Sequence, residues 1–230
     1  MRTQVARLWQ VVDRTIHLQL STGEKTTSVV MMVVFCGGVY GVCMGSYAWA
    51  TGQYHWREGI VQVFYSGVKV PLLLFATLLV SLPSFYVFNS LLGLRNDLRE
   101  SIRNIIVSQA TLAITLCSLA PLTMLWYASV STTDSSYAAS IMLNAIFFAI
   151  ASFTSQAALR YRYRTLIQRD PMHRWMLWTW LILFALVGIQ MGWIMRPFIG
   201  NPNQSPAFLR PGAWDNAYVN VLNIISRIFS

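Results

Sequence analysis

The chain has 230 residues, of which 55% are hydrophobic and only 11% are charged. A soluble domain usually has about 25% charged residues and cannot bury so much apolar surface, so the composition excludes that class and predicts an integral membrane protein. The net charge of +9 does not indicate nucleic-acid binding, because the basic residues lie in short segments between apolar runs and not on one solvated face.

Residues 1–26 predict an N-terminal amphipathic helix that lies on the cytoplasmic membrane surface. Val5, Leu8 and Val12 recur at helical spacing, and polar residues occupy most of the positions between them. The segment is too polar to cross lipid, and Trp9 together with arginines suits the membrane interface. A helix that packs on a soluble partner is the alternative. No apolar stretch of signal-peptide length occurs here, so we expect the first full span to lead insertion.

Five apolar stretches predict an all-α, polytopic membrane helix bundle with amphipathic helices at both ends. A membrane-spanning helix needs about 20 mostly apolar residues. The predicted spans, which form a membrane domain over 27–195, cover residues 27–50, 68–92, 105–130, 137–159 and 175–195. Residues 196–230 follow as a loop rich in proline and glycine and a second amphipathic helix. Residues 59–68 either form a re-entrant piece or extend the second span.

Three glycines in the first span share one helix face, because Gly37, Gly41 and Gly45 are spaced four residues apart. Helices in lipid are not drawn together by the hydrophobic effect, and such a bare face allows two backbones to approach closely. We therefore predict that this face packs tightly against another helix, which belongs either to the same chain or to another subunit.

Four basic residues are candidates for contact with an anionic lipid or ligand. Lys69 and Arg196 lie near the ends of two predicted spans, and Arg57 and Arg210 lie in segments on the same predicted side. A guanidinium suits bidentate binding of an oxyanion, and an ionisable residue in a span is a functional candidate. The alternatives are that Lys69 extends its ammonium to the lipid headgroups and that Arg196 caps the carboxyl end of its helix.

Amide side chains within the predicted spans favour hydrogen bonds between helices. A permeation path is the alternative for these residues, which are Asn89, Gln109, Asn144, Gln156 and Gln190. All eight acidic residues lie outside the mid-span apolar stretches, whereas ion-driven transporters usually place an acid within the membrane.

Neither a catalytic motif nor a cofactor motif is present in the sequence. It lacks GxSxG, GxxxxGK[ST] and HExxH patterns. Cys36, Cys43 and Cys117 lie in apolar runs without a CxxC pattern, and the three histidines are scattered, so no zinc or haem site is expected. We expect no catalysis, no metal and no cofactor.

The basic residues also predict the orientation of the chain. Most of the 17 lysines and arginines fall in the N-terminal segment and in the second and fourth loops, which share one side of a five-span protein. The positive-inside rule places that side in the cytoplasm. We therefore expect a multi-pass protein of the bacterial inner membrane, with a cytoplasmic N-terminus and a periplasmic C-terminus.

Three segments resemble parts of a set of poorly characterised bacterial multi-span inner-membrane proteins. They are Lys69-Val-Pro-Leu-Leu-Leu, Leu82-Pro-Ser-Phe-Tyr-Val-Phe-Asn89 and Met191-Gly-Trp-Ile-Met-Arg-Pro-Phe-Ile-Gly200. The resemblance covers residues 39–220 and implies no particular activity. In its number of spans alone, the chain is similar to the five-span Yip family, whose members interact with Rab GTPases. That likeness implies a non-catalytic, partner-binding role and identifies no functional residue.

Two functional hypotheses follow from the sequence. The first is a non-catalytic scaffold or accessory subunit of an inner-membrane complex, which binds lipids and either other membrane subunits or a second copy of itself. It is based on the glycine face, the terminal amphipathic helices and the lack of acids in the spans. The second is a small transporter or channel component for an anionic or lipid-like solute, with its site near Lys69 and Arg196. Nucleic acid is not an expected partner of either.

Overall fold

The computed structural model describes residues 26–130, 134–200, 205–210 and 218–219. Within these ranges no residue belongs to a β-strand. The helices are α1 (Thr26–Gly45), α2 (Tyr47–Ala50), α3 (Trp56–Leu91), α4 (Leu98–Ser129), α5 (Asp134–Arg169) and α6 (His173–Ile194), and a 3₁₀ turn at Arg95–Asp97 precedes α4. The predicted N-terminal amphipathic helix and nearly all of its C-terminal counterpart lie outside the described residues.

In the part of the chain that the structure describes, five helical segments are long and apolar enough to cross a membrane, which confirms the predicted all-α, polytopic bundle. The second span is longer than predicted, because α3 is one continuous helix of 36 residues. Residues 59–68 therefore extend the second span and are not re-entrant. At a rise of 1.5 Å per residue α3 is about 54 Å long, so its ends continue beyond a hydrocarbon core of about 30 Å.

The five long helices form a ring in which one junction is weak. α1 lies between α3 and α4 and packs extensively against both. α4 also packs against α5, and α3 packs against α6, whereas α5 and α6 contact each other at few positions. The order around the bundle is therefore α1, α3, α6, α5 and α4, and the bundle is least closed between α5 and α6.

The glycine face of α1 packs against α3 of the same chain. A Cβ atom added at Gly41 would overlap the carbonyl oxygen of Ser66 and lie 2.9 Å from the Cα of Gly67. At Gly45 it would lie 2.7 Å from the Cβ of Ser66, and at Gly37 it would lie 3.4 Å from the Cγ of Pro71. Of the two alternatives for this face, the structure shows the contact within the chain.

A buried hydrogen-bond network joins α1, α4 and α5. The hydroxyl of Tyr40 donates to Oδ1 of Asn144 at 2.8 Å, and Nδ2 of Asn144 lies 2.9 Å from the hydroxyl oxygen of Tyr127. The same Nδ2 donates to the backbone oxygen of Ser140 at 2.8 Å. Buried polar groups need such partners, so Asn144 has the interhelical role that the sequence predicts for it.

The two ends of the bundle differ in charge. The end with the α3–α4 and α5–α6 turns carries most of the described arginines and is called here the arginine-rich end. There Arg169 Nη1 lies 2.8 Å from Oε2 of Glu100, and His173 Nε2 lies 3.0 Å from Oδ2 of Asp97. These contacts connect α5 and α6 to the start of α4. The opposite end, which includes the segment after α6, is called here the loop end.

Candidate functional site

Two adjoining cavities lie inside the ring, beside the weak junction between α5 and α6. The loop-end cavity has a volume of about 490 Å³, and the deep cavity, nearer the arginine-rich end, has a volume of about 320 Å³. Leu73, Phe148, Gly188 and Ile189 line both cavities. The two cavities therefore adjoin each other, and together they are called here the cleft along α5 and α6.

The loop-end cavity combines an apolar wall with two arginines. Arg196 and Arg210 line it together with residues such as Met44, Ile141 and Phe148. The guanidinium carbon of Arg196 lies 3.3 Å from the ring centroid of Trp193, so the planar cation stacks on an indole. An oxyanion would be held here beside hydrophobic surface, which is the arrangement that an anionic amphiphile requires.

The position of Arg196 follows from how α6 ends. The last helical residue is Ile194, Met195 is the C-cap, and Pro197 has no backbone N–H with which to continue the helix. Arg196 therefore lies at the carboxyl end of α6 and at the border of the loop-end cavity. The sequence predicts that Arg196 either contacts an anionic ligand or caps the carboxyl end of α6, and this position agrees with both. A cation at the carboxyl end of a helix interacts favourably with the helix dipole.

Lys69 is fully buried and contacts the segment after α6. Its Nζ atom donates to the backbone oxygens of Pro197 at 2.6 Å and Ala207 at 3.3 Å, and it lies 5.2 Å from the ring centroid of Phe208. The side chain therefore does not extend to the lipid headgroups. It fixes two separate points of the loop, and it is not among the residues that line the two cavities.

Further contacts from the same end of the bundle hold this loop. Gln62 Nε2 and Ser66 Oγ both donate to the backbone oxygen of Phe198, at 3.1 Å and 2.5 Å. A Cβ atom added at Gly200 would lie 2.8 Å from Cε2 of Tyr54, so the backbone passes too close there for a side chain. Burial, as the main cause, raises the pKa of Tyr54 to about 12. Its phenol therefore stays neutral at physiological pH.

The structure brings together only part of the predicted cationic group. Arg196 and Arg210 border one cavity, Lys69 fixes the loop that carries Arg210, and Arg57 is exposed at the start of α3, outside both cavity linings. Contact of any of the four with an anionic lipid or ligand stays a prediction. The sequence predicts that all four residues lie on one side of the membrane. The packing of the loop after α6 gives them different positions and therefore different roles.

The deep cavity has a different chemistry, with amide and hydroxyl groups in an apolar wall and no charged side chain among the described residues that line it. Gln109 from α4 and Gln156 from α5 both line it. Gln109 is 4% exposed, and its Oε1 atom has no hydrogen-bond partner among the described residues. The sequence singled out both glutamines as interhelical contacts or as part of a path, and their location on the cleft favours the second interpretation.

Comparison with known proteins gave no match: no protein-family model, no curated protein and no solved structure matches the chain. The candidate site is therefore defined by the geometry of the cleft and by the chemistry of its lining.

Proposed function

We propose that this membrane protein binds an anionic amphiphile in the cleft and serves as a small transporter, or a component of one, for a lipid-like solute. The observation that carries the proposal is that Arg196 and Arg210 border the same largely apolar cavity. The anionic group of the solute contacts the two guanidinium groups, and its hydrocarbon part occupies the apolar remainder. The cavity volume of about 490 Å³ falls within the usual range for small-molecule sites.

The weak junction between α5 and α6 supports access from the membrane. The two helices contact each other at few positions, and the cleft lies along both of them. A lipid-like solute that enters sideways keeps its hydrocarbon part out of water, which avoids a cost of about 0.8 kcal/mol per exposed CH₂ group. The continuation of the cleft toward the arginine-rich end favours a role in movement across the membrane as well as binding.

Replacement of both arginines tests the headgroup contact. We expect the Arg196→Gln/Arg210→Gln variant to bind phosphatidylglycerol at least about tenfold more weakly, because each charge-assisted hydrogen bond contributes about 1.5–3 kcal/mol. Binding is measured on purified protein by native mass spectrometry, with phosphatidylcholine as the neutral reference lipid. Arg57→Gln removes an exposed arginine outside the cleft and serves as the matched control. Equal binding by the double variant and the control would reject the proposal.

Filling the cavity tests the apolar contact independently. A Cβ atom at Gly192 meets no atom of the described residues within 4 Å, and Gly192 lines the loop-end cavity. Gly192→Leu should therefore occupy the space meant for the solute, while the folded protein gains up to about 1 kcal/mol from the better helix former. We expect phosphatidylglycerol binding to fall, with Gly192→Ala as the small control that retains it.

A transport role additionally requires lipid flux in proteoliposomes, and absence of flux with the parent protein would exclude it.

A second candidate function, a scaffold or accessory subunit, is favoured by the poor coverage of α6. In the most apolar 18-residue stretch of α6, only 11% of the residues are buried within the chain. The remaining residues are at least partly exposed and can contact lipid or another subunit. The glycine face does not support this function further, because α3 of the same chain covers it. Mass measurement in several mild detergents tests it: a bound partner or a homo-oligomer supports a scaffold, and a monomer in every condition counts against it.

The proposal includes the cellular location of the protein and its orientation in the membrane. We infer a multi-pass protein of the bacterial inner membrane, with the arginine-rich end in the cytoplasm, from the positive-inside rule. The resemblance of three segments to bacterial multi-span proteins supports this setting. The proposed role is non-catalytic and requires membrane lipids as partners, with no nucleic acid and no cofactor.

A further inference from the structure

We propose that the deep cavity is a second binding site, which takes a neutral long-chain molecule through a hydroxyl group that donates to Gln109. This site differs from the arginine-bordered one in its position and in its chemistry. Gln109 lines the deep cavity and not the loop-end cavity, whereas Arg196 and Arg210 line the loop-end cavity and not the deep one. The two cavities therefore offer different polar groups to a ligand.

The unused hydrogen-bonding capacity of the deep cavity identifies the type of group that it binds. Gln109 Oε1 is a buried acceptor without a partner among the described residues. The hydroxyls of Ser155 and Thr77 already donate to the backbone oxygens of Ser108 and Leu73, each at 2.7 Å, so both retain lone pairs and no free hydrogen. These groups offer acceptors, and the side-chain amides of Gln109 and Gln156 in the same lining also carry N–H donors. A hydroxyl group both donates and accepts a hydrogen bond, so it matches this lining and can donate to Gln109 Oε1.

The absence of charge in this lining limits the ligand to a neutral molecule. Among the described residues that line the deep cavity, none is Asp, Glu, Lys, Arg or His. An ion placed there would lose its hydration without a counter-charge, which is very costly in an apolar environment. Most of the wall is apolar, including Leu112, Trp180 and Phe184, and it suits a hydrocarbon chain. A long-chain alcohol combines the neutral hydroxyl group and the hydrocarbon chain that this lining requires.

Water is the natural competitor at this site, since it also donates to Gln109. A buried water needs two to four polar partners, which the lining supplies near the glutamine and not along the apolar wall. A hydroxyl attached to a hydrocarbon chain replaces the water at Gln109 and at the same time fills the apolar part of the cavity. The alcohol therefore binds in preference to water or to an alkane alone.

Photo-crosslinking of the purified parent protein tests this inference with a diazirine-bearing hexadecanol and its methyl ether. We expect the alcohol to label residues that line the deep cavity about fivefold more than the ether, which cannot donate a hydrogen bond. Gln109→Leu should reduce labelling by the alcohol to the level of the ether. Gln168→Leu, an exposed glutamine at the end of α5, is the matched control and should label like the parent.

The thermal stability of the unliganded variants provides the second measurement. If Gln109 serves a ligand, Gln109→Leu removes a buried acceptor without a partner, so the melting temperature should stay the same or rise. A lower melting temperature, or failure to fold, would show that Gln109 stabilises the bundle and would overturn the inference. Equal labelling of the parent by alcohol and ether, or labelling outside the deep cavity, would overturn it as well. Neither result bears on the arginine-bordered site, which has its own variants.

Discussion

At the scale of single residues, Lys69 shows how burial changes the role of a charged group. A lysine near the end of a span has two common options, a contact with lipid phosphate or a functional contact inside the protein. In this chain its Nζ atom bonds to two backbone oxygens of the loop after α6, and the whole side chain is buried. The residue therefore positions the segment that carries Arg210, which borders the cavity.

Substitution of Lys69 should loosen this loop. In Lys69→Met the oxygens of Pro197 and Ala207 lose their donor, and we expect the free energy of unfolding to fall by about 1–3 kcal/mol. Backbone amides near Ala207 should exchange with deuterium faster, and phosphatidylglycerol binding should weaken although Lys69 does not line the cavity. Arg57→Met, on an exposed residue, is the control for loss of positive charge. Unchanged exchange in Lys69→Met would contradict the positioning role.

At the scale of elements, the contact between α1 and α3 depends on small residues on both helices. The added Cβ atom at Gly41 meets the backbone of α3, and Gly67 stands on the α3 side of the same contact. The hydrophobic effect does not hold two helices together in lipid, so close backbone approach and dispersion replace it. This contact places Gln62, Ser66 and Lys69 where they hold the loop.

A pair of glycine variants tests the packing of α1. Gly41→Ala places a Cβ atom on the carbonyl oxygen of Ser66, and we expect a loss of stability of about 1–3 kcal/mol from overpacking. Gly38→Ala is the matched control, because its Cβ atom would lie at an ordinary 3.6 Å from the oxygen of Gly67. It should be neutral, or more stable by up to about 1 kcal/mol. Reversible unfolding in detergent measures both, and equal effects of the two variants would contradict the packing argument.

The helix that contains the second span is longer than the span that the sequence predicts. The sequence assigned it to residues 68–92, since Gln62, Ser66 and Gly67 interrupt the apolar run. In the structure α3 begins at Trp56, and Gln62 and Ser66 are fully buried against α1 and the loop. Hydropathy treats each side chain as if lipid surrounded it. A polar residue whose partner belongs to the same protein is compatible with a span, and only the packing shows that partner.

At the scale of the whole molecule, the unequal charge of the two ends predicts the orientation in the membrane. The positive-inside rule predicts that the arginine-rich end faces the cytoplasm and the loop end faces the periplasm. In a chain with its three native cysteines replaced by alanine, a membrane-impermeant thiol reagent added to intact cells should label Thr51→Cys. The same reagent should label Gln168→Cys only after the cells are opened. The reverse pattern would invert the orientation, and labelling of both positions in intact cells would contradict the five-span topology.

The candidate site was predictable in part. The sequence placed Arg196 and Arg210 on one side of the membrane and marked Gln109 and Gln156 as polar residues within spans. It did not show that each pair lines one cavity, because this depends on how far α5 and α6 stand apart. The distance between two helices depends on the shapes of side chains on several helices. The residue pattern of a single helix therefore does not predict it.

The sequence by itself determined that the described chain crosses lipid as a bundle of helices. Bilayer thickness sets the length of an apolar run, and an unpaired backbone polar group is so costly in hydrocarbon that only a helix satisfies the run internally. Only the tertiary structure decided that α1 uses its glycines within the chain, that Lys69 holds a loop and that a cleft opens beside α5 and α6. These features depend on contacts between residues far apart in the chain, and their energies are not properties of any single segment.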